Sequence, residues 1–295
     1  MEKASFTAIG AAKMRAAHLL LDGDPKIFRD DFALRFSGSD SEASLREDTS
    51  AMVAEVAAKL GPEAAQRIFQ ATRAVMIMRS RYAEDALTRA IARGITHYVI
   101  LGAGLDSFAW RHPHLANTVE VFEIDHPASQ QWKRLRLQEL GIVQPPNLTF
   151  LPIDFEKQTL LDGLRDGGYP LEKPAFFSWL GVTQYLTKEA VLGTLKQIST
   201  LPSGTGISFT FVVPQTLLAG DDQRFFAMAA AGAAARGEPW VTFFEPAELS
   251  EQLQKLGFTG VEHFSPADAN IRYFAGRGDG LLVPGGEHVM LAQVE

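Results

Sequence analysis

From residue 95 onward, short apolar runs alternate with stretches of helical periodicity, and this texture restricts the fold more than any other feature of the chain. The runs are HYVILG (97–102), TVEVFEID (118–125), LTFLPID (148–154), AFFSWLG (175–181) and TGISFTFVV (205–213). Nearly continuous Val, Ile, Leu and Phe marks strands buried on both faces, and strands alternating with helices form a mostly parallel sheet. Helices are expected at 106–111, 127–140, 157–166, 187–200, 220–235 and 245–256. After GFTGVEHFS, the tail EHVMLAQVE alternates in hydrophobicity, so the last two strands are expected to pair antiparallel.

Residues 1–92 read as helical throughout. TAIGAAKMRAAHLLLDGD is built of helix formers with a Gly-Asp stop. PKIFRDDFALRF opens with Pro25 at a first helical position, and the segment from Pro62 keeps i, i+3, i+4 apolar spacing as far as Gly94. The expected organisation is an N-terminal helical cap (1–92) followed by a doubly wound α/β domain (93–295). With 295 residues, 46% of them hydrophobic, a sizeable core is available.

A net charge of -7, with Lys and Arg scattered, gives no footprint for nucleic acid or an anionic membrane. The chain has no cysteine, which excludes disulfides, thiolate metal sites and a cysteine nucleophile. Neither a signal-peptide core nor a run of about 20 apolar residues is evident. The expected protein is cytoplasmic, with a small-molecule or carboxylate partner.

At the end of the first strand stands Gly102-Ala103-Gly104-Leu105-Asp106-Ser107. Glycines there let the backbone approach a ligand, and the following helix offers free N–H groups; an ordinary strand-to-helix turn uses glycine too. A dinucleotide fingerprint would need glycine where Ser107 stands, which lowers the nicotinamide reading. About twenty residues on, Asp125 ends the second strand, where a carboxylate can take both ribose hydroxyls or cap the helix of DHPASQQWKRLR. Asp154 and Phe155 end the third strand; Asp154 can accept from an adenine amine or cap FEKQTLLDGL. Acidic residues at successive strand ends point to adenosine.

These residues resemble the leucine carboxyl methyltransferase family of class I S-adenosylmethionine-dependent methyltransferases. The resemblance is carried by LGAGLDSFAWR, FEIDHP, IDFEKQ, WLGVTQYL, RSRYAED and FFEPAELSEQLQKLGF, together with the N-terminal TAIGAAKMRAAHLLLDGDP. It implies a seven-stranded Rossmann-like sheet with an antiparallel last strand and a helical cap, with S-adenosylmethionine bound between cap and sheet. Gly102, Ala103 and Gly104 match the loop beside the methionine part. Asp125, followed by His126, matches the ribose site, and Asp154 with Phe155 the adenine site. Arg81 is the nearest match for the arginine that pairs with the cofactor carboxylate, with Arg79 as the alternative and Lys13 or Arg15 as a second cation. Leu180 stands where the phosphatase-methylating members carry a glutamate, which counts against that activity, although Leu180 still borders the methionine chain.

Methyl transfer from a sulfonium is a displacement in which the protein chiefly positions the acceptor and excludes water. Tyr185, beside Gln184, is placed to touch that acceptor and is the candidate catalytic residue, or else it packs at a helix start. A lid over the acceptor is expected at 214–245, where Phe225, Phe226, Met228 and Trp240 suit an apolar or aromatic molecule or pack as ordinary core. His112 and His114 flank Pro113 without matching ligands and read as a surface turn, so no metal is expected. The expected activity is O-methylation of a carboxylate or hydroxyl on a small-molecule or peptide acceptor, yielding S-adenosylhomocysteine. A nicotinamide-dependent oxidoreductase and a non-catalytic nucleotide-binding protein are the competing readings.

Overall fold

A computed structural model describes residues 6–39, 41–154 and 157–295. Four helices come first: α1 (Phe6–Leu21), α2 (Ala33–Phe36), α3 (Glu42–Leu60) and α4 (Pro62–Ala92). Then β1 (His97–Leu101), α5 (Phe108–Arg111), β2 (Glu120–Asp125), α6 (Pro127–Glu139), β3 (Leu148–Pro152), α7 (Leu160–Asp166), β4 (Phe176–Trp179), α8 (Lys188–Ile198) and β5 (Gly206–Val212) alternate. The chain closes with α9 (Gly220–Ala235), α10 (Pro246–Leu256), β6 (Gly260–Phe264), α11 (Pro266–Ala269) and β7 (Glu287–Gln293). No helix of the described residues is long and apolar enough to cross a membrane.

The seven strands form one sheet in the order β3-β2-β1-β4-β5-β7-β6. β1 to β5 are parallel, whereas β7 inserts between β5 and β6 and runs antiparallel to both, as the alternating tail predicts. Side chains alternate across the sheet. Tyr98 and Ile100 face α4, packing with Ile77, Met78 and Tyr82. Val99 and Leu101 face the opposite layer, with Leu164 of α7, Leu195 of α8 and Leu253 of α10. Helices therefore cover both faces, and α4 supplies part of one cover; its contacts with β4, β5 and β7 make it a sheet-packing element. Four of the five parallel strands stop one or two residues before their apolar runs do, because the ends form the ligand-edge turns: Gly102 and Gly181 both have positive φ.

One expected helix is largely missing. PKIFRDDFALRF is helical only at Ala33–Phe36, and Pro25 follows a cis peptide bond. The polar groups of its first half are engaged elsewhere: the Ile27 N–H donates to His18 Nε2 at 3.2 Å, and Arg277 Nη1 donates to the Pro25 carbonyl at 2.7 Å. His18 is itself fully buried against Asp22, which also receives Arg73 in a forked pair.

The same segment carries Asp30, 1% exposed. It accepts from Arg15 Nε of α1 at 2.8 Å and lies 3.8 Å from Arg111 Nε of α5, while Arg111 also pairs with Glu84 of α4. Burial raises the Asp30 carboxyl pKa, but the two guanidiniums prevail and hold it below the usual range. Arg15 Nη2 reaches on to the Leu105 carbonyl at 2.6 Å. Helices α1, α4 and α5 are thus tied to the glycine turn by paired buried charges. Removing one partner of such a set leaves an uncompensated charge. Asp30→Asn is therefore expected to lower unfolding stability in denaturant titration by about 3 kcal/mol, whereas a change below about 1 kcal/mol would show that the network does not bear on the fold.

Candidate active site

A cavity of about 450 Å³ opens at the carboxyl edge of the sheet. Its floor is the turn from Leu101 to Asp106, its roof is Thr7, Ala8, Ala11 and Arg15 of α1, and Arg79 and Ser80 of α4 close one side. At a strand end with the order β2-β1-β4, this is where parallel α/β sheets bind ligands.

Gly102 has φ 63°, and a Cβ there would lie 2.5 Å from Val182 Cγ2, so the turn has no room for a side chain. The Gly104 N–H donates to Asp125 Oδ2 at 2.6 Å, and the His126 N–H donates to Oδ1 at 2.7 Å. Each carboxylate oxygen thus holds one backbone donor and keeps lone-pair capacity for another. Burial pushes the Asp125 pKa above the ordinary aspartate value, with the two N–H donors opposing it. The capping alternative belongs to the next residue, since His126 Nδ1 accepts the Ala128 N–H at 3.3 Å at the start of α6.

Beneath the turn, Lys133 of α6 donates to the Asp106 carbonyl at 2.7 Å and to Glu123 Oε2 at 2.5 Å. Both side chains are buried, and burial pushes the Glu123 pKa up to about 7 against the pull of Lys133. Sequence reasoning missed this strut. Its signal is the spacing of Gln130, Lys133 and Leu137, a lysine on the inward stripe of an otherwise amphipathic helix.

Arg81 is engaged away from the cavity. It is absent from the cavity lining; its Nε donates to Asp85 at 2.8 Å, its Nη1 to the Ile27 carbonyl at 2.9 Å, and the side chain is 42% exposed. Arg79, the alternative, lines the cavity. Two helical residues apart means a turn of about 200°, so both cannot face one side. Lys13 pairs with Asp48 and is likewise outside the lining, whereas Arg15 is within it.

Gly102, Ala103, Gly104, Asp125, Leu180 and Tyr185 all line the cavity. Ser129 and Trp132 of α6, which sequence reading did not single out, line it as well. His126 and Asp154 do not appear in the described lining. Asp154 receives Lys157 Nζ at 2.6 Å, and the cap of α7 is Thr159. Phe155 lies outside the described residues. From the segment after β5, the cavity is met by Gly237, Glu238, Pro239 and Val241. Of the aromatics expected there, Phe226 and Trp240 pack edge-on at 5.3 Å, and Phe226 also meets Phe243 at 6.0 Å. His112 is no plain surface turn, for its Nε2 lies 3.2 Å from Glu84 Oε2 within the buried network. Among the described residues no group of three His, Cys, Asp or Glu could hold a metal ion.

Comparison with known proteins identifies the family and the fold. The sequence model of the leucine carboxyl methyltransferase family matches residues 8–199. YktD of Bacillus subtilis (strain 168), whose name assigns it S-adenosyl-L-methionine-dependent methyltransferase activity, is 33% identical over 290 residues, covering 95% of this chain and 94% of that one. FRAAL3718 of Frankia alni carries the same assignment and is 28% identical over 280 residues, covering 94% and 88%. Among solved structures, a DUF574 family protein from Streptomyces avermitilis has a TM-score of 0.60 at 16% identity, covering 90% of this chain and 95% of that one, which is a likeness of fold.

Gly102→Ala tests the tight turn. Left-handed backbone at a residue with a Cβ costs about 1–2 kcal/mol, and the new methyl meets Val182. Calorimetry is expected to show adenosylhomocysteine binding at least tenfold weaker in this variant. Wild-type affinity would mean that the turn does not shape the ligand site.

Proposed function

Since the chain belongs to the leucine carboxyl methyltransferase family and is an S-adenosylmethionine-dependent methyltransferase, we propose that it transfers the methyl group to an oxygen, carboxylate or hydroxyl, of a small-molecule or peptide acceptor. The observation that carries the cofactor reading is the Asp125 carboxylate, oriented at the cavity edge by Gly104 and His126. Two oxygens with spare lone pairs match a ribose cis-diol. The glycine turn admits the methionine arm, and a guanidinium on the far wall suits its carboxylate. That guanidinium is Arg79, in place of the expected Arg81.

When bound, the cofactor supplies a methyl group on a sulfonium, an electrophile that needs no metal or redox partner. The chain's own residues do the rest. Asp125 fixes the nucleoside, Arg79 fixes the opposite end, and α1 roofs the space against water. Tyr185 shares the cavity lining with Pro239 and Val241, and its phenol orients an acceptor oxygen. Residues 214–245 serve as the acceptor lid, touching the cavity through Gly237, Glu238, Pro239 and Val241. An acceptor carboxylate, with an ordinary pKa near about 4, is already ionised at neutral pH and needs no general base.

Two measurements check this reading. Asp125 must be ionised to accept both hydroxyls, and its pKa is raised, so affinity for adenosylhomocysteine is full above that pKa. It falls as pH drops, beginning above the ordinary aspartate range of about 4. Asp125→Asn should weaken binding about tenfold at neutral pH and flatten this fall; superimposable wild-type and variant profiles would remove Asp125 from the ribose site. For the acceptor, labelled methyl should pass from adenosylmethionine into candidate carboxylates as base-labile ester, and base-stable product would assign the hydroxyl class instead.

A further inference from the structure

Glu287 is the first residue of β7, paired across the sheet with Val212 of β5. Its carboxylate is 12% exposed and stands beside the cavity wall, where Arg79 Nη1 donates to Oε1 at 3.4 Å. Burial pushes its pKa up while Arg79 opposes the rise. The contact is long for an N–H···O bond and single, so most of the five donors of Arg79 are left for another partner. On another side the guanidinium rests against Gly181, where a Cβ would lie 2.7 Å from Cζ and 2.8 Å from Nη2. An ion pair this buried adds little net stability once desolvation is counted, so stability alone does not account for a carboxylate here.

We propose that Glu287 is a positioning residue: with the bare backbone of Gly181, it sets the Arg79 guanidinium so that its remaining donors meet the cofactor's carboxylate already aimed. This rests on the reading that Arg79 is the ligand of that carboxylate. The gain is preorganisation, because an arginine fork held in its bound orientation loses less freedom when the ligand arrives. The long sequence separation explains why no local motif signals it. Arg79 comes from the N-terminal helices and Glu287 from the strand inserted last into the sheet.

The test uses calorimetry on the full chain with two ligands, adenosylhomocysteine and methylthioadenosine, the latter sharing the nucleoside and thioether but lacking the amino-acid end. Arg79→Gln should raise the adenosylhomocysteine Kd roughly tenfold or more, and Glu287→Gln about fivefold, both leaving the methylthioadenosine Kd at its wild-type value. Retained methylthioadenosine binding also shows that the variants are folded. If Glu287→Gln fails to fold, Gly181→Ala, which pushes the guanidinium from the other side, should give the same selective loss. Selective loss in Arg79→Gln with an unchanged or tighter Kd in Glu287→Gln overturns the positioning role and leaves the arginine reading standing. An equal loss for both ligands in Glu287→Gln makes Glu287 a scaffold residue and overturns it as well. No effect in Arg79→Gln overturns the arginine reading, and the inference falls with it.

Discussion

Asp30 accepts a hydrogen bond from Arg15, sits beside Arg111, and through Arg111 is linked to Glu84. Two carboxylates and two guanidiniums cancel in charge, which makes the burial of all four tolerable. The consequence is geometric. Arg15 belongs to α1, Glu84 to α4 and Arg111 to α5, so the roof, the side wall and the helix after the glycine turn share one anchor. Were α1 free to lift, the cavity would lose Thr7, Ala8 and Ala11 and become an open strand edge. The depth of the site depends on this charge set, of which Arg15 itself lines the cavity.

A second buried pair sustains the floor. Lys133 reaches from α6 to the Asp106 carbonyl while Glu123 holds it from β2, directly below the turn that Asp125 steadies from the ligand side. Glu123 and Asp125 are two residues apart on one strand and therefore share a face. The inner carboxylate holds a lysine and the outer one offers lone pairs to the cavity. The shape of the turn is thus fixed by polar contacts on both sides before any ligand arrives, which is the condition for a preorganised site.

Much of the fold was legible in the sequence. Strands such as FFSW and GISFTFV are buried on both faces and announce themselves as continuous apolar runs, and the alternating tail marked the antiparallel β7. PKIFRDDFALRF misled because its periodicity is helical while its polar groups are claimed by His18 of the preceding helix and by Arg277, far along the chain. At the site, Gly102, Gly104, Asp125, Leu180 and Tyr185 stand on strand ends and turns, which are local signals, and they meet on the lining of one cavity. The choice between Arg79 and Arg81 was not local: it depends on how α4 is rotated against the sheet, which the packing of Ile77, Met78 and Tyr82 decides. Lys133 and Glu287 escaped notice for the same reason, since a buried charge is recognised by the partner that the fold brings to it.

In the proposed arrangement one cavity between α1, α4 and the strand ends holds the cofactor with its ribose on Asp125 and its carboxylate on Arg79. A crystal structure of the chain with adenosylhomocysteine tests this most directly. The account predicts both ribose hydroxyls within hydrogen-bonding distance of the Asp125 carboxylate and the ligand's carboxylate on the Arg79 guanidinium. A ligand whose carboxylate lies at Arg81, or whose ribose lies away from Asp125, would contradict it.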